Sequence, residues 1–154
     1  MGRMYSLTTQ ITATTQLDIF EVIPSDDRII VVHGLYITQA SETGDAQEEF
    51  LAIKLMRGHT SSGSGGSSVT PERMNTNDSS SGFTATSGNT TVATGGSPVT
   101  LHQEAFNIRA GMQYIPTPET RITANQSTSR LVARLASTPA DAITLYATML
   151  VEEI

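Results

Sequence analysis

The sequence predicts an all-β protein, an antiparallel β-sandwich of about eight strands, from three observations. Apolar and polar residues alternate with a period of two along most of the chain, as on the two faces of a strand. Threonine, a β-branched residue that favours strands, occurs 23 times in 154 residues. Turn-forming residues separate the alternating runs without long helical patterns between them, which is typical of sandwiches and barrels. The strand order is predicted to be jelly-roll-like, with an immunoglobulin-like order as the alternative.

The N-terminal part of the chain supplies several of the predicted strands. Residues 17–22 alternate between two sets of side chains, and the run at 28–37 is apolar on both faces, which predicts a central strand covered on two sides. In 50–57 the aliphatic residues Leu51, Ile53 and Leu55 alternate with other residues, although the helix-forming Glu48, Glu49, Lys54 and Arg57 in and beside this run leave a helix as the alternative. Turns are predicted at 24–27 and 40–45 from their Pro, Ser, Asp and Gly residues.

The C-terminal third alternates most clearly. Strands are predicted at 99–108, 130–135 and 143–151. In the last of these, one face is aliphatic, and the other is rich in threonine and includes Tyr146, which we expect in the core or at an interface. Thr-rich alternation of this kind fits a pleated, half-solvated surface better than a helix.

Residues 58–98 differ in composition from the rest, being rich in Ser, Thr, Gly and Asn. The stretch at 60–68 would by itself be assigned to a flexible linker. Two interpretations follow: a linker between two small halves, or a long loop or excursion from a single sandwich domain spanning 1–154, held by neighbouring subunits. We favour the excursion, because the strands on each side are too few to build two cores. Short strand pieces are expected at 82–86 and 90–93.

Composition and charge argue against several classes of function. The formal net charge is −6, so the chain lacks the excess of Lys and Arg that a general nucleic-acid binder needs. It has no Cys, and therefore no disulfide, no thiolate nucleophile and no zinc site of the Cys type. No apolar run approaches the roughly 20 residues of a membrane span. The first residues lack the apolar stretch of a secretion signal, so we expect the protein to be made and kept in a cytoplasm.

The three histidines do not form a recognisable metal site. His33 and His59 have no second ligand at helical metal spacing. His102 and Glu104 would share one face of a strand, but no third ligand is evident. We therefore predict no metal and no cofactor.

No catalytic constellation is evident either. The adjacent carboxylates Asp26-Asp27 and Glu48-Glu49 would point to opposite faces of a strand and cannot oppose each other across a cleft. They are expected to be a solvated turn and the charged entry to a strand or helix. The chain has no G-x-S-x-G elbow and no P-loop. The sequence predicts that the protein is not an enzyme.

Four arginines in the C-terminal part form a local excess of positive charge in an acidic chain. Arg130 and Arg134 would share one face of a strand. They could pair internally with Glu119 and Asp141, which we favour slightly, or meet acidic groups of a partner, since the planar guanidinium matches a carboxylate. The candidate partner-interface residues are Arg109, Tyr114, Arg121, Arg130 and Arg134.

Several segments carry a family resemblance: LHQEAFN (101–107), YIPTPE (114–119), RLVARL (130–135), PADA (139–142) and EEI (152–154). Together they resemble short virion proteins of tailed bacteriophages, of the head decoration (cement) or minor capsid type. The similarity covers 94–154 well and the first 57 residues loosely, and the Ser/Gly tract departs from it. It implies a capsid-surface protein, present in the host cytoplasm during assembly, whose partners are the major capsid protein and copies of itself. It supplies no catalytic residues.

Three functions compete on this evidence. The first is a capsid decoration protein, a homotrimer that clamps neighbouring shell subunits. The trimer is inferred from the small number of aromatic residues and from the long excursion, which we expect to be buried between subunits. The alternative is a carbohydrate- or receptor-binding module of a head or tail fibre, with Tyr36, Tyr114 or Tyr146 stacking on a sugar. The third is an enzyme with an unrecognised site. Neither nucleic acid nor membrane is an expected partner.

Overall fold

The computed structural model of the chain describes residues 2–40 and 48–154. Within these residues the backbone forms twelve β-strands and one 3₁₀ helix, Pro118–Thr120. The strands are β1 (Arg3–Ala13), β2 (Leu17–Ile23), β3 (Ile30–Gln39), β4 (Phe50–His59), β5 (Ser67–Val69), β6 (Glu72–Arg73), β7 (Thr84–Asn89), β8 (Val99–Asn107), β9 (Met112–Tyr114), β10 (Thr123–Ala124), β11 (Arg130–Leu135) and β12 (Ile143–Glu153).

The strands form two antiparallel sheets, which confirms the predicted all-β sandwich. In sheet A the order is β10-β3-β12-β1-β6, and β9 also pairs with β3. In sheet B the order is β5-β7-β2-β11-β4-β8. The immunoglobulin-like alternative is not the observed order, because β1 pairs with β12 and β6 and lies in a different sheet from β2.

The inner faces of the two sheets pack into one core of mostly aliphatic side chains. β12 shows how the sequence places them: its odd-numbered residues are buried, and its even-numbered residues are half-exposed or exposed. Among the few aromatic side chains, Tyr5 and Phe83 meet edge to face with 5.5 Å between ring centroids. Tyr146 is 46% exposed. Of the two expected places, the core is therefore wrong, because Tyr146 occupies an even, outward-facing position of β12, and the interface stays a prediction.

Most strands lie where the alternation predicts them. The runs at 50–57, 130–135 and 143–151 correspond to β4, β11 and β12, so the first of these is a strand and not the alternative helix. The doubly apolar run at 28–37 corresponds to β3, where Ile30, Val31 and Val32 are all buried.

Strand β1 is revealed only by the structure. It pairs with β12 along its whole length, from Arg3 opposite Glu153 to Ala13 opposite Ile143. Its buried residues include Tyr5, which begins a period-two pattern that also predicts a strand. That pattern is the signal by which sequence reasoning could have found β1.

The segment 58–98, called the excursion from here on, packs on its own sandwich. It contributes β5, β6 and β7; β7 pairs with β2 and β6 pairs with β1, so the excursion covers one edge of each sheet. Phe83 and Ala85 belong to the core. The strand piece expected at 82–86 overlaps β7, whereas 90–93 contains only an isolated bridge. Because the excursion pairs with strands of both sheets, the alternative that it is a linker between two small halves is wrong.

The small residues of the excursion permit close approach of backbones. Isolated bridges join Ser61 to Thr94 and Ser64 to Thr91. A Cβ at Gly66 would overlap the carbonyl oxygen of Ser87, so any larger residue at this position would force the two segments apart. Close packing therefore explains a composition that resembles a flexible linker.

Two further predictions concern local features. Residues 26–27 form the predicted turn, but most of the turn predicted at 40–45 lies outside the described residues. Nowhere in residues 2–40 and 48–154 is there a helix long and apolar enough to cross a bilayer.

Candidate interaction surfaces

Two carboxylates of β2 face the excursion. Asp18 and Glu21 are three residues apart, and on a regular strand they would point to opposite faces. A β-bulge between β2 and β11, where Phe20 pairs with Ala133 and Asp18 with Arg134, brings both carboxylates to the outer face. Both are fully buried, because the excursion covers this part of sheet B.

Asp18 is bound from two directions. The Nε of Arg134 donates to Oδ1 at 2.6 Å, and its Nη2 lies 3.4 Å from Oδ2. The backbone N–H of Ala93 in the excursion donates to Oδ2 at 2.6 Å, while the carbonyl of Ala93 accepts from Arg134 Nη2 at 2.9 Å. The ion pair therefore attaches the excursion to sheet B and balances both buried charges.

Glu21 is bound in a similar way but less completely. Its Oε2 accepts from the backbone N–H of Gly63 at 2.9 Å and from Asn89 Nδ2 at 3.0 Å. The Nε of Arg130 lies 3.3 Å from Oε1 and also donates to Ser62 Oγ at 3.1 Å. Within the described part of the chain, Oε1 of Glu21 and Nη1 of Arg130 are buried without a hydrogen-bond partner. The charge of Glu21 is therefore compensated, although its hydrogen bonds are incomplete.

His59 lies beside this network at the end of β4. It pairs with Arg130 in the ladder and is only 2% exposed. Burial lowers the pKa of His59, and the Arg134 cation lowers it further, against the opposite influence of Asp18 and Glu21. Protonation of His59 is therefore less favourable than that of a solvated histidine.

The internal pairing predicted for two arginines occurs, but with different carboxylates. Arg134 pairs with Asp18 and Arg130 with Glu21. These carboxylates lie more than a hundred residues away in sequence, on the neighbouring strand, so no local pattern indicates them. The partners predicted instead were Glu119 and Asp141.

The predicted interface residues differ in exposure. Arg134 is only 9% exposed, so a partner protein could reach its guanidinium only if the excursion moved away. Arg109 is exposed in the turn after β8, where its backbone N–H donates to Asn107 Oδ1 at 2.9 Å. Arg121 is half-buried after the 3₁₀ helix. The five predicted residues do not form one exposed patch, because two of them lie beneath the excursion.

A second cluster lies where β8 of sheet B approaches β9 of sheet A. His102 Nε2 and Glu104 Oε2 are 3.2 Å apart, as expected for two residues on one strand face. The ring of Tyr114 lies against the His102 ring, with 4.4 Å between centroids. Burial raises the pKa of Tyr114. Across the described residues no three His, Cys, Asp or Glu side chains lie together so that they could hold a metal ion.

The outer face of sheet A carries two of the candidate tyrosines. Tyr146 pairs with Thr38 and Tyr36 with Thr148, so the two tyrosines are diagonal neighbours on one face. The ring of Tyr36 lies over Gly34. Hydroxyl and amide side chains of β1 and β12 border Tyr146: Thr8, Gln10, Thr12 and Thr144.

The adjacent acidic pairs serve as anchors for neighbouring loops. Asp26 Oδ1 accepts from the backbone N–H of Ser127 at 2.9 Å, and this hydrogen bond lowers the pKa of Asp26. Glu49 precedes β4, and its Oε2 accepts from the N–H of Ala140 at 2.9 Å. Both pairs thus correspond to the expected turn and strand entry.

The sheet edges differ in length. Three of the four edges are formed by strands of only two or three residues. These are β5, β6, and the edge beside β3 that β9 and β10 share. The fourth is β8, with nine residues, and in the described part of the chain it pairs only with β4. Proteins commonly shorten or cover edge strands to prevent pairing with other chains. The β8 edge is therefore the candidate surface that the sequence analysis did not single out.

Fold and register together define an all-β sandwich protein. The chain matches no protein-family model, no curated protein and no solved structure.

Proposed function

We propose that this chain is a structural protein of a bacteriophage virion, a capsid decoration (cement) protein that binds and stabilises the shell of the major capsid protein. The observation that carries the proposal is the order of the strands in the two sheets. The resemblance of residues 94–154 to phage virion proteins is the second support.

The strand order supports a jelly roll. Without the excursion and the two-residue β10, eight strands remain, and they pair first with last, second with last but one, and so on inward: β1–β12, β2–β11, β3–β9 and β4–β8. The pairings β12–β3 and β11–β4 then divide this long hairpin between two sheets. We infer a jelly roll from this order, and jelly rolls are frequent among viral capsid and lectin domains.

The physical properties of the chain suit a protein of high copy number. Its net charge of −6 favours solubility before assembly. A decoration protein that binds only the expanded shell stabilises that state by mass action. Several weak contacts made at once by a multimer increase the apparent affinity without any single strong site.

Assembly of the chain as a homotrimer stays a prediction. Its basis was a sparse aromatic core and an excursion needing cover from neighbouring subunits. In this structure the excursion packs on its own sheets, and aliphatic residues fill the core. Neither feature therefore requires a trimer, and the mass of the assembly has to be measured.

The proposal is tested with particles of the phage that encodes the chain, made with and without it. We expect purified chain to co-sediment in stoichiometric amounts with expanded shells, to bind unexpanded shells weakly, and to raise the temperature at which shells rupture. Arg109→Glu, at the exposed predicted interface residue, should weaken binding, and Arg73→Glu, at an exposed residue of the excursion, serves as the matched control. Absence of the chain from purified virions, or unchanged shell stability without it, would contradict the proposal.

The alternative, a carbohydrate-binding module, is favoured by one observation, the pair of tyrosines on the hydroxyl-rich outer face of sheet A. Tyr146 is well exposed there and could stack on a sugar ring. Tyr114 is a weaker candidate, because His102 already covers part of its ring. A glycan array would support this function if Tyr146→Ala and Tyr36→Ala abolished binding while Tyr114→Ala retained it. Absence of glycan binding by the wild-type chain would contradict it.

A further inference from the structure

We propose that the edge of β8 is an interface at which two copies of this chain pair antiparallel, joining their B sheets into one continuous sheet. The partner is a second copy of the same chain, related by a two-fold axis near Ala105. The proposal concerns the isolated protein and does not depend on the proposed function in a virion.

The outer edge of β8 offers backbone groups for pairing. The N–H of Ile108 donates to the carbonyl of Glu49 beside β4, so by the alternation of an antiparallel ladder the even-numbered residues of this segment face β4. Gln103 and Ala105 therefore direct both their N–H and C=O groups outward. Asn107 directs its N–H outward, while its carbonyl accepts from the N–H of Ala110.

The edge lacks most of the features that prevent strand pairing. Val99–Asn107 contains no Lys, Arg or Pro, the residues that commonly protect an edge. Gln103, Glu104 and Ala105 are all exposed. The protective features are the charge of Glu104 and a bulge near Leu101, where the register with β4 shifts. A regular, accessible edge therefore extends from 102 to 107.

The position of the two-fold axis follows from exclusion. In an antiparallel pair formed by two-fold symmetry, one residue faces its own copy. An axis at Glu104 would oppose two carboxylates, which is unfavourable. An axis at Gln103 would place the bulge at Leu101 inside the ladder. An axis at Ala105 avoids both, because it places Gln103 opposite Asn107 and Glu104 opposite Phe106.

This register makes the edge complementary to itself. Ala105 exchanges two main-chain hydrogen bonds with the partner subunit's Ala105, and each Asn107 N–H meets a Gln103 carbonyl, giving about four bonds in all. Ala52 lies beside Ala105 in the ladder, so a row of small side chains crosses the axis and lets the strands approach without steric conflict. A peptide of unrelated sequence would use the same backbone groups, but the symmetric fit favours a second copy.

The first experiment removes one outward N–H from the full chain. Sedimentation velocity over a range of concentrations should show a dimer of the wild-type chain, and Ala105→Pro should weaken it by about tenfold or more, since two hydrogen bonds are lost per dimer. Proline is tolerated on an edge strand when its nitrogen faces solvent, so the melting temperature of the variant should change little. Glu104→Pro, whose N–H faces β4, should instead lower the melting temperature, and Ala105→Ser should remain a dimer.

The second experiment uses the absence of native cysteines. In a hydrogen-bonded antiparallel pair the Cα atoms lie about 5.5 Å apart, within the range that a disulfide can bridge. Ala105→Cys should therefore form a covalent dimer under mild oxidation, and Thr8→Cys, an exposed position on sheet A, should form far less.

Three results would overturn the proposal. One is a wild-type chain that remains monomeric at high concentration with equal cross-linking of both cysteine variants. Another is an oligomer of any size whose mass is unaffected by Ala105→Pro, since its interface would lie elsewhere. The third is a monomer that loses shell binding on Ala105→Pro, because the edge would then serve a shell segment and not a second copy.

Discussion

Asp18 and Arg134 form a buried ion pair with 2.6 Å between Oδ1 and Nε, and the same two side chains hold the backbone of Ala93. The pair lies on the outer face of sheet B, where a solvated surface would be expected in a two-layer sandwich. Its burial follows from the excursion, which forms a partial third layer there. The stability of the excursion and of the sandwich should therefore be coupled.

Breaking this ion pair from one side should be costly. Arg134→Met leaves the Asp18 carboxylate buried without its cation, and we expect the free energy of unfolding to fall by about 3–5 kcal/mol. Arg73→Met, at an exposed arginine of the excursion, should change it by less than about 0.5 kcal/mol. Urea unfolding measures both, and the double variant Asp18→Leu/Arg134→Met should recover part of the loss. If Arg134→Met and Arg73→Met lowered the free energy of unfolding equally, the ion pair would have no structural role.

His59 should make stability depend on pH. Its pKa is lowered by burial in the folded chain, so the unfolded chain binds a proton more readily as pH falls below the usual histidine pKa of about 6.5. The stabilisation is present above that pH and is lost as pH falls through the lowered pKa. Between pH 7.5 and 5 the wild-type chain should lose stability with a slope contribution of at most about 1.4 kcal/mol per pH unit from this residue.

The matched variant for this effect is His59→Gln, which cannot be protonated in the range. Its free energy of unfolding, measured by urea titration at several pH values, should fall less steeply below pH 7 than that of the wild type. Parallel pH profiles of the two chains would show that His59 is not the cause.

Phe83 should be essential to the core even though it belongs to the excursion. It is 2% exposed and packs edge to face on Tyr5, so Phe83→Ala should cost about 3–5 kcal/mol through lost burial and the cavity left behind. Phe50→Ala is the matched control, because Phe50 is 69% exposed. Thermal unfolding of both variants should separate them clearly. A small effect at Phe83 would mean that the excursion is dispensable.

Gly66 should not tolerate a side chain. A Cβ there would overlap the Ser87 carbonyl oxygen, so Gly66→Ala should separate the 60–66 segment from the strand beside it. We expect a loss of about 1–3 kcal/mol, as for overpacking in a core. Ser64→Ala, at an exposed neighbour, should be nearly neutral. Hydrogen exchange should show faster exchange at the Ser64 and Thr91 amides only in the glycine variant.

Some strands could be predicted from the sequence and others could not, and the reason is physical. β4, β11 and β12 follow from period-two alternation, because each has one face in the core and one outside it. β1 has the same kind of signal in Tyr5 and Leu7 but was not predicted. Outside β7 the excursion carries no such signal, because its glycines and serines are selected by close backbone contacts that arise only in the folded chain.

The predicted interface arginines likewise combine a property that the sequence indicates with one that only the folded chain determines. Arg130 and Arg134 pair internally as expected, but not with the predicted Glu119 and Asp141. The identity of the carboxylates depends on the β2–β11 register and on a bulge that shifts Asp18 and Glu21 to one face. A regular alternation would have separated them.

By itself the sequence determined the fold class, most of the long strands and the absence of disulfides, because alternation and composition are local properties of the chain. Only the tertiary structure decided that the Ser/Gly tract is packed on the sandwich, that Asp18, Glu21 and Arg134 lie buried beneath the excursion, and that β8 is the long open edge. These features arise from contacts between residues far apart in sequence, and the energy of such contacts depends on register and burial, which no short window of residues contains.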